Sequence, residues 1–537
     1  GNPVNDTKEI KTSIGVLASL KTTAKNIVGA INELYDKFTG VVRKIKLNGQ
    51  IYSPDSTGLV DLGTIEGGGG TGGSVSLDTT MPEVPTDTKA PSTKLMADEH
   101  AKLWNELHNN NYGNDWYGVL RSGDVATSDL IRIGNMLNHR TLPYHNKIRP
   151  CIVKPDRTIN YYLDNNDITK KADGTDAVLD GTDGVVCVYY PAGYIIMASG
   201  QDQNLDLNAI SLTPFAVNGI EGERFEAFVV SMDYATVRRS DNALMCVINE
   251  TEDYAGSGAN NTVGGIGYAR TGVNNYNYTL YARNYGDGWT NSFFYFEQIK
   301  TALMIIEYAT YNLTKAYNAT LSAEGFKQGG LGTGPQNWVS GDWNTYNGYN
   351  PVIKIGEVQK YISGLSSNGT GVYTKTIQAT ETKSYTTPFP CWRWCSNLWG
   401  HLWNWYSGVD IDIQPNTSDT PYSTIYYTKQ PTEVLATNDS DFTFVEKYIK
   451  IGLLPRGNGN FKELLSGLFL PKSNGGGSAT WGCAYFWAGI PASRERRGVR
   501  SGAALNAGGD ALRASAASNN QPSNSNANIS SSQSATV

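Results

Sequence analysis

Small residues dominate the closing segment of the chain, residues 501–537, which consists mostly of Ala, Ser, Asn and Gly. Asp510 and Arg513 are its only charged residues. Such a segment buries too little apolar surface to offset the entropy lost on ordering, so its composition alone predicts a disordered tail. The residues just upstream are typical of a core strand, because they are densely aromatic and apolar: Trp481, Tyr485, Phe486, Trp487 and Ile490. Since no linker separates the two stretches, we expect the closing segment to begin inside a fold.

The small side chains of this segment also allow a second interpretation, that of an exposed surface. A scaffold tolerates them at surface positions, where most replacements leave the core intact. The closing segment therefore also fits an exposed surface whose residues can be exchanged. A disordered tail and an exchangeable surface are the two interpretations that the composition leaves open.

The overall composition narrows the classes of partner. Only 18% of the 537 residues are charged, and the net charge of -6 offers no basic surface for nucleic acid. Tyr, Trp, Gly and Asn are used heavily, which is typical of extracellular and carbohydrate-facing binding proteins. No apolar run approaches the roughly 20 residues that span a bilayer, so we expect no membrane span.

Cysteine and histidine give little sign of a metal or catalytic centre. Of the six cysteines only Cys391 and Cys395 lie close together, without a second pair or paired histidines to complete a zinc site. We therefore expect buried free thiols, no metal and no cofactor. His401 stands among tryptophans, which is more typical of a packed histidine than of a catalytic one, and no GxSxG motif supplies a nucleophile.

Two acidic pairs are compatible with calcium binding. Asp164 and Asp167 form one pair, and Asp410 and Asp412 form the other. Turns and solvated strand edges use the same residues, and we expect that role for both pairs.

The order of patterns along the chain predicts four parts. In residues 1–40, apolar or small residues recur at alternating spacings of four and three, the heptad pattern of a helical oligomerisation segment. Alternating residues around an Asn-Gly turn predict a small β unit at residues 41–66. A Gly- and Pro-rich linker with a short helix follows at residues 67–111, and residues 112–537 form one continuous body.

The main body contains patterns of both element types. Stretches such as VVCVYYPAGYIIMA alternate in the manner of β-strands. Further along, residues with helical spacing predict a buried amphipathic helix: Ile299, Leu303, Ile306, Ala309 and Leu313. We therefore expect an α+β fold for this body.

The string LKTTAKNIVGAINELYDKF, in the predicted helical segment, resembles a short repeat of tail-fibre and other virion proteins of bacterial viruses. In those proteins the repeat precedes a shaft or a receptor-binding head. The resemblance implies that the N-terminal part contacts other virion tail proteins. Together with the heptad pattern, it leads us to expect a coiled-coil stem and a homotrimer; an unrelated short coiled coil is the alternative reading.

A longer resemblance covers residues 112–537. Several motifs occur there in order: RIGNMLNHRTLP, YLDNNDIT, FEAFVVSMDYA, EGFKQGGLGTG, YNGYNP, LWGHLWNWYSGVDI and RRGVRSGAALN. Together they resemble the variable proteins of diversity-generating retroelements from gut bacteria and their phages. In that family a reverse transcriptase copies a template with errors at adenines, so Asn codons become codons for many residue types without producing stops. The resemblance implies a C-type-lectin-like head, related to formylglycine-generating enzymes, with a variable region at about residues 501–529.

The resemblance also implies where ligand would bind. It places exposed variable positions at Ala503, Asn506, Ala507, Asp510, Arg513, Ser515, Ala517, Ser518 and Asn519. Trp403 and Trp405 are expected in the core strand beneath this surface, and Trp392 and Trp394 beside it, where rigid aromatics give contact area at low entropic cost. The family's usual ending, Ile-Gly-aromatic-Arg, is replaced here by Ile529 followed by Ser-Ser-Ser-Gln, which leaves the place of the last strand open.

These expectations combine into one function. We expect a phage tail-fibre receptor-binding protein of the virion tail, not an enzyme, that attaches to the host cell surface through a retroelement-diversified C-terminal face. Its receptor is either a polysaccharide or a protein. Two alternatives stay open: an oxidase of the formylglycine-generating type, which depends on a cysteine pair, and a non-viral bacterial surface adhesin.

Overall fold

The structure is a computed structural model, and the chain divides into two compact units, Gly1–Thr88 and Lys89–Val537. The predicted helical segment, residues 1–40, and the predicted linker, residues 67–111, lie outside the described residues, as do the boundaries between the four predicted parts. The structure describes residues 45–47, 50–52, 115–121, 129–199, 206–249, 251, 253–255, 266–349, 351–362, 368–396, 398–475, 484–502, 504–505 and 516–537.

A hairpin is the described element of the first unit. Strands β1 (Ile45–Leu47) and β2 (Gln50–Tyr52) pair antiparallel. Their register leaves two residues, Asn48 and Gly49, between the strands. This connection agrees with the predicted Asn-Gly turn, a pair favoured where both central residues need positive φ.

Strands make up most of the second unit. In chain order they are β3 (Tyr117–Arg121), β4 (Ile131–Gly134), β5 (Arg149–Val153), β6 (Ile159–Tyr162), β7 (Val185–Tyr190), β8 (Gly193–Ser199), β9 (Asp206–Ser211), β10 (Ala216–Val217), β11 (Ile220–Glu221), β12 (Glu223–Phe225), β13 (Phe228–Ser231), β14 (Thr236–Arg238), β15 (Leu244–Met245), β16 (Tyr254–Ala255), β17 (Thr290–Asn291), β18 (Gly371–Gln378), β19 (Ser384–Cys391), β20 (Trp403–Ile413), β21 (Ser423–Tyr427), β22 (Ile449–Leu453), β23 (Gly459–Leu465), β24 (Leu468–Asn474), β25 (Tyr485–Trp487), β26 (Glu495–Ser501), β27 (Ala516–Ala517), β28 (Ile529–Ser530) and β29 (Gln533–Thr536).

The helices of this unit are fewer, and most are short. They are α1 (Met136–Thr141), α2 (Asn275–Tyr285), α3 (Phe294–Tyr308), α4 (Ser340–Asn347), α5 (Glu357–Ile362) and α6 (Phe444–Lys447), with 3₁₀ turns at His145–Lys147 and Pro431–Glu433. None of the helices in the described ranges has the length and apolar character needed to cross a membrane.

Three larger sheets organise the unit. Their strand orders are β12-β8-β9-β3-β4, β17-β29-β13-β7-β5-β6 and β22-β21-β20-β26-β27-β25-β23-β24, with β28 beside β20 in the last. Smaller sheets are β10-β11, β15-β14-β16 and β18-β19. Two of the pairings between described strands are parallel, β25 with β27 and β20 with β28. The largest sheet therefore joins strands that are far apart in sequence.

The predicted fold class is wrong. Among the described residues strand is the main element type, with 37% strand and 15% helix, and most of the strand pairings are antiparallel. The second unit is not the α+β, C-type-lectin-like head that was expected. The expected coiled-coil stem lies outside the described residues. The expectation gave too much weight to one long helical pattern and to motif resemblance, whereas alternating apolar and aromatic residues, which favour strands, recur through most of the second unit.

Helix α3 is buried, as predicted, but on all sides and not on one apolar face only. It also ends earlier than predicted, because Ala309 adopts a left-handed conformation (φ 51°) and donates its N–H to the carbonyl of Ile305 at 2.8 Å. Two of its charged side chains, Lys300 and Glu297, pair with each other in the interior at 3.0 Å. The core therefore surrounds this helix.

The closing segment ends inside a sheet. Strand β29 is hydrogen-bonded to β13 on one side and to β17 on the other, and residues 530–534 have no exposed surface. Hydrogen bonds to the neighbouring strands satisfy the backbone N–H and C=O groups of this stretch whatever the size of its side chains. Its low apolar content therefore does not prevent it from being ordered. The disordered-tail interpretation is therefore wrong for residues 516–537.

Candidate functional site

The predicted variable stretch leaves the largest sheet and rejoins it at neighbouring positions. Strand β26 ends at Ser501 and β27 begins at Ala516, and these two residues are paired. Leu505 is completely buried and donates its N–H to the carbonyl of His401 at 3.1 Å. Residues 506–515 lie outside the described part of the chain. The residues on both flanks of this stretch are thus fixed to the body.

Next to these flanks lies a group of side chains that we name the aromatic face: Trp403, Tyr485, Trp487, Arg500 and Asn519. Trp403 and Trp487 meet edge to face with ring centroids 5.3 Å apart, and Tyr485 lies 4.8 Å from Trp487. The guanidinium of Arg500 covers the Trp403 ring at 4.4 Å. Tyr485 and Trp487 are half-buried and Asn519 is exposed. The face therefore combines aromatic, cationic and amide groups.

Strand register brings these residues together. Ala517 on β27 is paired with Arg500 on β26 and with Trp487 on β25. Paired residues of neighbouring strands project from the same side of a sheet, so Arg500 and Trp487 flank the small Ala517 side chain. A large residue at position 517 would push these two side chains apart.

Hydrogen bonds fix Asn519 to β26. Its Oδ1 accepts from Nη2 of Arg500 at 3.0 Å, and its carbonyl accepts from the Arg497 guanidinium. Burial lowers the pKa of Arg500 to about 10, which leaves the group charged at neutral pH. The face therefore keeps a positive charge beside its rings.

A cavity of about 380 Å³ adjoins the aromatic face, lined by Tyr349, Asn526, Ala527 and Asn528. The carbonyl of Asn528 accepts the N–H of Trp403 at 3.0 Å, which ties the cavity wall to the face. Amide and phenol groups both donate and accept hydrogen bonds, so the lining suits polar ligands. The volume lies within the usual range of small-ligand sites.

A buried polar network holds the closing segment against β20. The hydroxyls of Ser292 and Ser532 lie 2.6 Å apart, and Ser292 donates to Oδ1 of Asn404 at 2.8 Å. Ser531 donates its hydroxyl proton to the carbonyl of Trp405 at 2.9 Å. Buried polar groups are costly unless they are paired, so this network specifies one position for the segment. The residues beneath the aromatic face are therefore held in one position by hydrogen bonds.

The structure tests part of the predicted ligand-binding set. Ala517 and Ser518 are only 1% and 4% exposed, so their predicted exposure is wrong. The reason is that β27 is an inner strand, and Ser518 donates its N–H to the carbonyl of Trp487 at 3.0 Å. Asn519 is exposed as expected, and its part in binding stays a prediction. The other predicted positions lie outside the described residues: Ala503, Asn506, Ala507, Asp510, Arg513 and Ser515.

The four tryptophans expected to support the surface are all buried. Trp403 and Trp405 lie on β20, the core strand expected beneath the surface. Trp392 and Trp394 were expected beside the binding face and are instead core residues, 0% and 3% exposed. The indole of Trp392 donates to the Glu307 carboxylate at 2.9 Å, a bond that requires its interior position.

A buried ion pair lies beside Trp392. The guanidinium of Arg393 contacts both carboxylate oxygens of Glu307 at 3.1 Å, and neither side chain is more than 1% exposed. Burial by itself would raise the pKa of Glu307, but the charges of Arg393 and His145 outweigh it and lower that pKa to about 2. The pair links α3 to the segment after β19.

His401 is a packed histidine, as expected. Its Nε2 accepts the N–H of Val352 at 3.1 Å, and its ring meets Tyr234 and Phe389 edge to face. Burial lowers its pKa to about 3, so the ring is neutral at physiological pH. These contacts explain its position among aromatic residues.

Cys391 and Cys395 are buried free thiols, which confirms the expectation from their spacing. Burial raises the pKa of both thiols above the usual value, which disfavours the reactive thiolate. In the part of the chain that the structure describes, no group of three or more His, Cys, Asp and Glu side chains is placed to hold a metal ion.

The acidic pairs have different roles. Asp164 and Asp167 each accept N–H bonds from backbone a few residues downstream, which confirms the turn interpretation. Asp410 and Asp412 are buried rather than on a solvated edge: Asp410 is bonded to Arg496 at 2.7 Å, and Asp412 is likewise paired with an arginine.

Sequence reasoning missed Tyr485, Trp487 and Arg500 as site residues. A signal for the first two exists, because Phe486 between them is 1% exposed while they are half-buried, the alternation of a strand. Arg500 has no comparable local signal, since its place depends on the pairing of β26 with β20 and β27.

The site thus consists of two fixed flanks of the predicted variable stretch, an aromatic face and an adjoining polar cavity. The comparisons with known proteins add no family to this description: no family model matches the chain, and no curated protein matches it.

Proposed function

We propose that this chain is a receptor-binding protein of a bacterial virus, carried on the virion tail, that attaches to the host cell surface through residues 501–529. The observation that carries the proposal is the framing of residues 506–515, whose flanks Leu505 and Ala516 are fixed to the body by buried contacts and strand pairing. A stretch framed in this way can change its residues while the framework beneath keeps its bonds.

The aromatic face supports recognition of a receptor. Trp, Tyr and Arg contribute most of the binding energy in many interfaces, since they bury a large area and lose few rotamers. Trp487 and Arg500 are paired with Ala517 in the flank of residues 506–515, Tyr485 lies against Trp487, and Asn519 adds an exposed amide. Such a surface accepts either a polysaccharide or a protein receptor, and the framed residues would select between receptors.

Diversification by a retroelement accounts for the composition of the stretch. Errors at adenines exchange Asn codons for Ser, Asp, Gly, Ala and Tyr codons, which fits a segment made largely of Asn, Ser, Ala and Gly. Under this proposal the framed residues vary between copies, whereas the buried residues 530–534 stay constant. Substitution within 530–534 would disturb the buried hydrogen bonds that hold the segment in place.

Assembly as a homotrimer, joined to other tail proteins through its N-terminal part, belongs to the same proposal. Three linked copies raise the strength of attachment by roughly 10² to 10⁴ without any new contact. Modest affinity at each face is then enough for stable attachment to a cell.

Binding to intact bacteria tests the proposal. The full chain is labelled and incubated with a panel of gut bacterial strains, and bound label is counted by flow cytometry. We expect strain-specific binding that falls at least about tenfold when Asn506, Asp510 and Ser515 are all changed to Ala, the effect of losing a few interface contacts. The melting temperature of this triple variant should change by less than about 2 °C, because surface changes are nearly neutral.

The matched control carries three alanines at exposed positions elsewhere, Glu381, Asp419 and Lys450. It should bind the same strains as the unmodified chain. Equal binding by the triple variant of the framed stretch would refute the proposal, and so would a fall of more than about 5 °C in its melting temperature, since that loss marks a structural role.

A further inference from the structure

A second cavity lies away from the aromatic face, where the end of the five-stranded sheet meets the hairpin of β23 and β24. Its volume is about 460 Å³, and it shares no lining residue with the aromatic face. Four charged residues line it together with apolar side chains such as Met197 and Leu465: Arg121, Asp206, Glu463 and Lys472. It is therefore a site separate from the aromatic face.

The wall of this cavity is held in place by a close contact of backbones. Gly467, at the hairpin turn, donates its N–H to Oγ of Ser199 at 2.8 Å. Its φ is 77°, and a Cβ atom at this position would lie 2.2 Å from the carbonyl oxygen of Met197. Only glycine fits there, so the hairpin is fixed against β8 and the cavity is formed before any ligand arrives.

The charged groups of the cavity are themselves oriented by hydrogen bonds. Nε of Arg121 donates to Oδ2 of Asp206 at 2.7 Å, with both side chains almost fully buried. Oε2 of Glu463 accepts from the hydroxyl of Ser473 at 2.8 Å. Burial raises the pKa of Asp206 to about 6 against the attraction of Arg121, and the nearby charge of Glu463 raises it further. Arg121 and Asp206 thus satisfy each other in the cavity wall, while Glu463 and Lys472 add one more charge of each sign, so the lining has no net charge.

We infer that this cavity binds a short neutral saccharide, one or two sugar rings in length. Carboxylates only accept hydrogen bonds, and guanidinium and ammonium groups only donate them, whereas each sugar hydroxyl does both. A cavity lined by equal numbers of acceptor and donor groups therefore matches a ligand that is rich in hydroxyl groups. The balanced charge gives no preference for phosphate or other anions, and Met197 and Leu465 offer apolar surface to the C–H face of a ring.

The inference goes beyond the proposed attachment function and can be tested apart from it. Saturation-transfer NMR is recorded on the full chain with a panel of neutral monosaccharides and disaccharides, with glycine and inorganic phosphate as other probes. We expect signal from at least one neutral sugar. Glu463→Gln and Lys472→Ala should each weaken that sugar's affinity by about 10- to 100-fold, the effect of losing one charged hydrogen-bond partner.

Two further variants separate this site from the aromatic face. Met197→Trp enlarges a side chain on the cavity side of β8 and should abolish the signal, with its melting temperature measured to verify folding. Asn519→Ala, on the aromatic face, should leave the sugar signal unchanged. The inference is overturned if no sugar gives signal, if glycine or phosphate binds in place of sugar, or if Glu463→Gln and Met197→Trp both retain the affinity of the unmodified chain.

Discussion

Replacing His401 by Gln should change how the stability of the protein depends on pH. His401 is 7% exposed, its Nε2 accepts a backbone N–H, and burial lowers its pKa to about 3. In the unfolded chain its pKa returns to about 6.5. Below that pH the unfolded state binds a proton at His401 and the folded state does not, so the free energy of unfolding decreases as the pH falls. Gln keeps a hydrogen-bond acceptor but has no such proton equilibrium.

The magnitude follows from the two pKa values. Between about pH 6.5 and pH 3, one such histidine changes the free energy of unfolding by about 1.4 kcal/mol per pH unit. From pH 7 to pH 4.5, where about two units of this window are crossed, His401 therefore costs the unmodified protein about 2.7 kcal/mol. His401→Gln lowers stability at pH 7 through lost packing, but that deficit should shrink by about 2.7 kcal/mol at pH 4.5.

Denaturant unfolding at pH 7, 6, 5 and 4.5, followed by circular dichroism, measures the difference between the two proteins. Burial raises the pKa of Asp206 and of Asp233 to about 6, so these two groups oppose the effect of the histidine. They act equally in the unmodified protein and in His401→Gln and therefore cancel in the difference between the two unfolding free energies. Tyr234→Phe is the matched control, because it removes a neighbouring hydroxyl without a titration in this range. A His401→Gln deficit that stays constant from pH 7 to pH 4.5 would refute the reasoning.

Three other changes probe the interior. Glu307→Gln strips Arg393 of its buried partner and should cost about 3–5 kcal/mol in unfolding free energy at pH 7, whereas a loss below about 1 kcal/mol would mark the pair as unimportant. The charge of Glu307, with its pKa lowered to about 2, stabilises the fold above about pH 4.5 and ceases to do so as the pH falls toward 2. Ser532→Val breaks the bond to Ser292 and should cost about 1–3 kcal/mol by thermal or denaturant unfolding, while the same change at the exposed Ser525 should be nearly neutral; equal effects at the two sites would contradict the buried network. The thiols of Cys391 and Cys395 should react with a disulfide reagent only after unfolding, and rapid labelling of the folded protein would show that they are accessible.

Local patterns in the sequence predict several elements correctly. The continuous apolar run VVCVYY forms β7, and the Asn-Gly pair lies between β1 and β2, because both signals depend on neighbours in the chain. The packed state of His401 could be inferred from the tryptophans around it. For β7 and the turn, sequence proximity and spatial environment coincide, whereas the ring of His401 packs against Tyr234 and Phe389 and not against the neighbouring tryptophans.

Other features depend on partners distant in sequence. β29 is a polar strand whose place between β13 and β17 is set by backbone hydrogen bonds, which leave no mark in a pattern of apolar residues. The burial of Ala517 follows in the same way from its pairing with Arg500 and Trp487. Composition treats such residues as surface or tail, and the family resemblance, which placed exposed positions at 517 and 518, gives no information on this pairing.

The central claim is that residues 506–515 can be exchanged, and recognition with them, on a body that stays constant. The most direct measurement is a library randomised at these positions in the full chain, selected on a panel of bacterial strains and then measured for melting temperature. The account predicts variants that bind new strains and melt within about 2 °C of the parent. If instead every folded variant binds the same strains as the parent, or if most variants fail to fold, the claim is contradicted.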